Sequence, residues 1–191
     1  MKKNIGVLAF QGDIIEHQHA IEEIGHRFIP VRSSKEVDQI DALIIPGGES
    51  TTIGFFLEET GVGETIQKLA LAGLPVWGTC AGAIVMAKTI KCRIVPPHLS
   101  LIDMVIERNA YGRQVDSFYT GIDIPKLHIS SLSAAFIRAP IIRKVGKKVE
   151  ILAQYKNEII LVRQGNLLAS TFHPELTGDI RLLECFTSTF A

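Results

Sequence analysis

The chain has 191 residues and balances 20 lysines and arginines against 20 aspartates and glutamates, so no net field draws it to nucleic acid or to an anionic membrane. That length buries a full core without metal or disulfides, and a single domain over residues 1–191 is expected. Three cysteines at wide spacing, Cys80, Cys92 and Cys185, argue against a disulfide framework and for a reducing compartment. The apolar run after Met1-Lys2-Lys3-Asn4 is too short for a signal peptide core or a membrane span, so a cytoplasmic location is expected.

Ile5 to Phe10, bounded by Gln11-Gly12-Asp13, fits a strand buried on both faces of a parallel sheet. Asp13 is placed to cap a helix running to about Ile24, with Gly25 as its stop. Phe28 to Val31 reads as a second strand, Ser33 or Ser34 opens a short helix, and Ala42 to Ile45 is a third strand ending at Pro46-Gly47-Gly48-Glu49-Ser50. Helical patterns follow over Thr51 to Thr60 and Glu64 to Ala72, and Pro75 to Trp77 returns as a strand. Strands and helices alternating at this length predict parallel strands joined by right-handed crossovers, with sites at the strands' carboxyl ends.

Beyond Leu101 the segments shorten. Ile102 to Ile106, Phe118 to Ile124, Ala134 to Arg138, Val149 to Tyr155, Ile159 to Arg163 and Leu167 to Thr171 read as strands with hairpin-like spacing. This half is expected to be mixed or antiparallel, with Asn157-Glu158 at a hairpin tip. Gly178 to Phe190 closes the chain as a helix capped by Thr177 or Asp179.

Three segments carry chemistry. In Gly78-Thr79-Cys80-Ala81-Gly82 the glycines two before and two after the cysteine permit a tight strand-to-helix elbow, which would present the Cys80 thiol at a helix start where a thiolate is favoured. Cys80 is the candidate nucleophile; the bland alternative is a small buried core residue. Phe172-His173-Pro174-Glu175 follows the last expected strand and offers His173 as acid/base and Glu175 as the acceptor that orients it, against a plain solvated turn. Pro46-Gly47-Gly48-Glu49-Ser50 exposes backbone N–H groups at a strand end, and the amides of Gly48 and Ala81 are the candidate oxyanion hole. No P-loop lysine accompanies this turn.

In this chain order the three segments resemble the class I glutamine amidotransferases. Leu8-Ala9-Phe10-Gln11-Gly12, Pro46 to Thr52, the cysteine elbow, Glu107 to Phe118, Phe136-Ile137-Arg138-Ala139-Pro140 and Phe172 to Thr177 are similar to the glutaminase-subunit family of pyridoxal 5'-phosphate synthases, Arg108 to Phe118 being the most discriminating run. The resemblance covers essentially the whole chain. It implies a three-layer α/β sandwich, with a mostly parallel central sheet flanked by helices, that hydrolyses L-glutamine to glutamate and ammonia through Cys80, His173 and Glu175. The ammonia would pass to a separate synthase subunit within a larger hetero-oligomer, and the glutaminase would hold no cofactor.

The same resemblance implies that Gly48, Glu49, Ser50, Arg108, Ile137 and Arg138 hold the substrate, in keeping with bidentate pairing of a carboxylate by arginine and acceptance of an ammonium by glutamate. Gln11 and Gly47 would transmit the contact of the docking synthase. The chain departs from the family pattern where Pro96 and Ser100 replace an asparagine and a glycine, and where Phe10 replaces a smaller aliphatic.

His17 and His19 are two apart on a predicted helix and cannot form an i, i+4 ligand pair, while His26, His98 and His128 lack companions at ligand spacing. No metal is expected. Two rivals stand beside the amidotransferase reading: a DJ-1-like cysteine hydrolase acting without a synthase, and a non-enzymatic scaffold that retains the fold.

Overall fold

Period-two alternation divides the apolar strands between two cores. In Ala42-Leu43-Ile44-Ile45, Ala42 and Ile44 join one apolar cluster while Leu43 and Ile45 join the other, so both faces of the strand are covered. The computed structural model describes residues 1–108 and 117–190; most of the family-discriminating run between Arg108 and Phe118 lies outside the described residues.

The first half runs β1 (Asn4–Leu8), α1 (Ile14–Glu23), β2 (Arg27–Val31), α2 (Ser34–Val37), β3 (Ala42–Ile45), α3 (Ser50–Glu59), α4 (Val62–Leu71), β4 (Val76–Thr79), α5 (Ala81–Met86) and β5 (Ala87–Lys91). The second half runs β6 (Ile102–Glu107), β7 (Phe118–Ile124), β8 (Ile129–Phe136), β9 (Ile141–Val145), β10 (Glu150–Tyr155), β11 (Glu158–Gln164), β12 (Leu167–Ser170) and α6 (Arg181–Thr189).

One sheet takes the order β2-β1-β3-β4-β12-β11-β9-β6-β5, with β10 on β11, and β7-β8 forms a separate ribbon. The five strands from β2 to β12 are mutually parallel, as the crossover rule predicts. Pairing turns antiparallel from β12 through β11 and β9 to β6. Ile21 of α1 and Leu182 and Phe186 of α6 pack with Ile122, Leu132 and Phe136 of the ribbon against Ile5, Ile44 and Trp77. Val37, Ile53, Leu57, Ile66 and Val85, from α2 to α5, cover Leu8, Leu43, Ile45 and Val76 on the other face. The ribbon thus shares one outer layer with helices.

Several boundaries differ from the sequence expectation for local reasons. β5 is an edge strand with Lys88, Thr89 and Lys91 exposed, and β9 carries Arg143 and Lys144, so neither shows an apolar run. β8 begins at Ile129 because exposed serines occupy its solvent positions. The hairpin tip is Lys156-Asn157, with φ of 48° and 69° and Tyr155 paired to Glu158, the doubly left-handed geometry that two-residue hairpins favour. α6 starts at Arg181, whose backbone N–H and guanidinium both donate to Asp179. Ser100, standing where the family pattern has glycine, adopts φ 52°, and Phe10 stacks on Phe56 at 5.2 Å.

A tight packing constraint lies beside the cysteine elbow. A Cβ on Gly82 would overlap the Ile45 carbonyl oxygen, so α5 can approach β3 only with glycine there. Gly82→Ala is therefore expected to cost on the order of 3 kcal/mol, lowering the thermal midpoint by roughly 6–12 °C for a chain of this size; an unchanged melting curve would contradict this close approach.

Candidate active site

The pairing of β4 with β12 brings the distant motifs together. Thr79 is in register with Ser170, the Cys80 N–H donates to the Ser170 carbonyl at 2.8 Å, and the chain reaches His173 three residues later. Cys80 has φ 48° and ψ −100°, the strained elbow that the flanking glycines predict, and it is 8% exposed. Helix α5 is only six residues long, so fewer peptide dipoles align on the sulfur than the sequence suggested, and the nearest charged partner matters more.

That partner is His173. Its backbone is clamped to β8 by reciprocal bonds with Ala135, at 2.8 and 3.3 Å. Its Nδ1 lies 2.8 Å from Glu175 Oε1 and 3.1 Å from Asp13 Oδ2. Carboxylates only accept, so Nδ1 carries the hydrogen, leaving the other ring nitrogen for the Cys80 sulfur. Burial pushes the His173 imidazole down, but its bonds to Asp13, Cys80 and Glu175 outweigh this and hold it well above the ordinary histidine range. An imidazolium beside a sulfur is what a thiolate needs.

The cleft above Cys80 is lined by Gly48, Glu49, Ser50, Ala81, Arg108, Ile137 and Arg138 as well as His173 and Asp13, so every residue expected to hold substrate borders one space. The Ile137 carbonyl lies 3.9 Å from the Cys80 sulfur. Ala81 supplies the first amide of α5, which has no preceding turn to accept it. The Gly47 carbonyl accepts from the Asp13 N–H at 3.3 Å, and across a trans peptide this turns the Gly48 N–H away from the β1–α1 loop. Gln11 Oε1 accepts from the Glu49 N–H at 2.7 Å, so Gln11 and Gly47 meet at the same turn.

Glu49 and Arg108 bind each other, 2.8 Å apart, and Glu49 also caps α3 by accepting from the Thr52 N–H. Burial opposes Glu49's charge, but the Thr51 and Thr52 bonds and the Arg108 guanidinium hold its carboxyl below the usual range. A larger groove, of about 560 Å³ between α3, α4 and residues 95–99, is lined by Pro96 and His98 but by no cysteine and by none of the residues expected to act in catalysis or substrate binding.

Two residues near the triad were read as structural or unremarkable from sequence. Asp13 does stand at the N-cap of α1, but its side chain makes no capping bond and reaches His173 instead, while its own carboxyl is held low chiefly by that bond. His17, 1% exposed, places Nε2 3.5 Å from Glu175 Oε1 and 3.5 Å from Thr79 Oγ1. The available signal was Asp13 and His17 at i, i+4, one face of a helix that begins at a strand's carboxyl end. Asp13, His173 and Glu175 bring ligand-type atoms within 4.8 Å of one another; an N–H shared between two carboxylates accounts for that closeness without a metal.

The SNO glutamine amidotransferase family matches residues 7–191. The chain belongs to this family. Pyridoxal 5'-phosphate synthase subunit PdxT of Caldicellulosiruptor saccharolyticus is 52% identical over 93% of this chain and 93% of its own. The PdxT subunit of Thermotoga maritima is 48% identical over 95% and 96%. Among solved structures, a glutamine amidotransferase superposes with a TM-score of 0.91 at 45% identity, covering 95% of this chain and 96% of its own. PurLQS from Thermotoga maritima, at TM-score 0.73, 16% identity and full coverage of both chains, shares the fold. These likenesses carry the α/β architecture with its curled, mostly parallel sheet. Among the described residues no helix is long and apolar enough to cross a membrane.

Burial lowers the His17 pKa more than the Glu175 and Asp13 charges raise it. A histidine depressed in the folded state contributes stability that is complete above its ordinary value near 6.5 and is lost as pH falls below it, by up to about 1.4 kcal/mol per pH unit. His17→Gln should therefore lose less stability than wild type between pH 7.5 and 5.5 in urea melts, and an equal acid loss in both proteins would contradict this burial effect.

Proposed function

We propose that this chain is the glutaminase subunit of a pyridoxal 5'-phosphate synthase, hydrolysing L-glutamine and supplying ammonia for vitamin B6 synthesis by a separate synthase subunit in a hetero-oligomer. The whole chain would act as one amidotransferase domain. One observation carries the assignment of roles: His173 lines the same cleft as Cys80 and is held from behind by Glu175, 2.8 Å from its Nδ1. The family match and the PdxT relatives support the substrate and the partner.

In this reading the Cys80 thiolate attacks the glutamine amide carbon, and the Gly48 and Ala81 amides hold the oxyanion. His173 protonates the departing nitrogen, ammonia leaves, and a glutamyl thioester remains on Cys80. The neutral imidazole then takes a proton from water, hydroxide displaces the thiolate, and glutamate departs. Glu175 keeps the Nδ1–H in place through both half-reactions. Arg108 and Arg138, which line the cleft, would meet the substrate carboxylate, and Glu49 its ammonium. No cofactor enters this chemistry. Docking of the synthase would act through Gln11 and the Gly47 peptide, which already touch the oxyanion turn.

The DJ-1-like reading is not favoured, because it accounts for neither the family match nor the His173–Glu175 pair. Ammonia release from glutamine, measured with and without the cognate synthase, tests the proposal. Cys80→Ala should lose activity by roughly 10⁴-fold or more, and Glu175→Gln by on the order of 10³-fold. Glutamine hydrolysis that persists in Cys80→Ala sinks the nucleophile assignment, and a wild-type complex that releases no ammonia sinks the function.

A further inference from the structure

We propose that Asp13 is a positioning residue of this site: its carboxylate shares the Nδ1–H of His173 with Glu175 and keeps the imidazole protonated to more alkaline pH. This rests on the reading of Cys80 and His173 as nucleophile and acid/base, and it assigns a role to a residue outside the cysteine–histidine–glutamate set.

The geometry separates the two carboxylates. Glu175 comes from the same segment as His173 and is 1% exposed, whereas Asp13 comes from the β1–α1 loop and is 28% exposed at the cleft wall. Asp13 Oδ2 is 3.1 Å from His173 Nδ1, and an opposite charge at that range favours the protonated imidazole. Asp13 occupies the N-cap of α1 without using its side chain as a cap, so its carboxylate is spent on His173 and not on the helix. Its backbone is pinned as well. The Asp13 N–H donates to the Gly47 carbonyl, and Gly12, at φ 110°, leaves no room for a Cβ against that same oxygen. One residue therefore ties the oxyanion turn to the imidazole.

The groups facing His173 are Cys80 from the elbow, Glu175 from its own segment, Asp13 from the loop and His17 from α1; Glu49, Arg108 and Arg138 line the cleft beyond. Of these, Cys80 and Glu175 are parts of the triad. His17 is buried next to Glu175, and burial together with the His173 charge acts against its own protonation. Asp13 is thus the partly exposed anion that can be neutralised while the triad is left whole.

The experiment compares wild type with Asp13→Asn and Asp13→Ser, both neutral residues that serve well at an N-cap. The imidazole of His173 is titrated by ¹H–¹³C NMR in the free protein, its signal assigned by its loss in His173→Gln, and the alkaline limb of kcat/KM for glutamine is measured in the complex with synthase. Both neutral variants are expected to lower the His173 midpoint by about one pH unit or more and to move the alkaline limb with it, leaving KM at neutral pH within about twofold. Asp13→Glu should restore part of the shift. A midpoint that stays in place in a folded variant overturns the proposal, as does a rise in KM with no shift in either profile, which would make Asp13 a substrate ligand. Loss of a cooperative melt in both variants also overturns it, since Asp13 would then be structural. The titration needs no glutamine, so a shifted midpoint in a protein that releases no ammonia would leave this proposal standing while the functional reading fails.

Discussion

Everything at the site depends on the register of two neighbouring parallel strands. β4 and β12 are separated by nearly half the chain, yet Thr79 and Ser170 lie side by side, and both strands end at the same edge of the sheet. Cys80 and His173 leave that edge from adjacent strands. The pairing is reinforced below the site by the Trp77 indole N–H, which donates to the Ser170 hydroxyl at 3.1 Å. A slip of one residue in β12 would turn Leu168 and Ala169 to the wrong cores and swing the histidine segment away from the sulfur. Packing of the two cores therefore sets the catalytic distance, and the site's precision is inherited from apolar burial.

The elbow turns that register into chemistry. Cys80 at φ 48° sits in a region that a side chain enters only under constraint, and such positions cost on the order of 1–3 kcal/mol. Three features hold it there: the bond from its amide to Ser170, the bond from Ile84 to its carbonyl, and the glycine contact of α5 against β3. With α5 under two turns long, few peptide dipoles are aimed at the sulfur. Burial opposes a charge on the imidazole, and its bonds to Asp13, Cys80 and Glu175 together hold it above the ordinary histidine range.

The parallel half of the fold was legible because β1 and β3 are unbroken apolar runs ended by glycine turns, and because Cys80, His173 and Glu175 announce themselves by spacing and chain order. The strands that escaped, β5 and β9, expose lysine or arginine at the positions that would have signalled burial, and β8 hides its first half behind serines. Asp13 and His17 escaped for a different reason. An aspartate before a helix is well explained as a cap, and a helical histidine with no ligand partner at i, i+4 draws no further role. Only the packing of α1 across the carboxyl ends of β1 and β4 gives them a shared target, and no local pattern encodes that crossing.

Glu175 shows why the proposed triad depends on the fold more than on a motif. A buried carboxylate is costly unless donors surround it. Its Oε1 is approached by the His173 Nδ1–H from its own segment, the Thr79 hydroxyl from β4 and the His17 ring from α1. Three elements distant in sequence thus converge on one oxygen. The His-Pro-Glu tripeptide alone could not gather those partners around the oxygen. Once β4 and α1 are packed around it, Glu175 can hold the imidazole's tautomer, and with Asp13 on the open side the imidazole can hold its proton beside the sulfur.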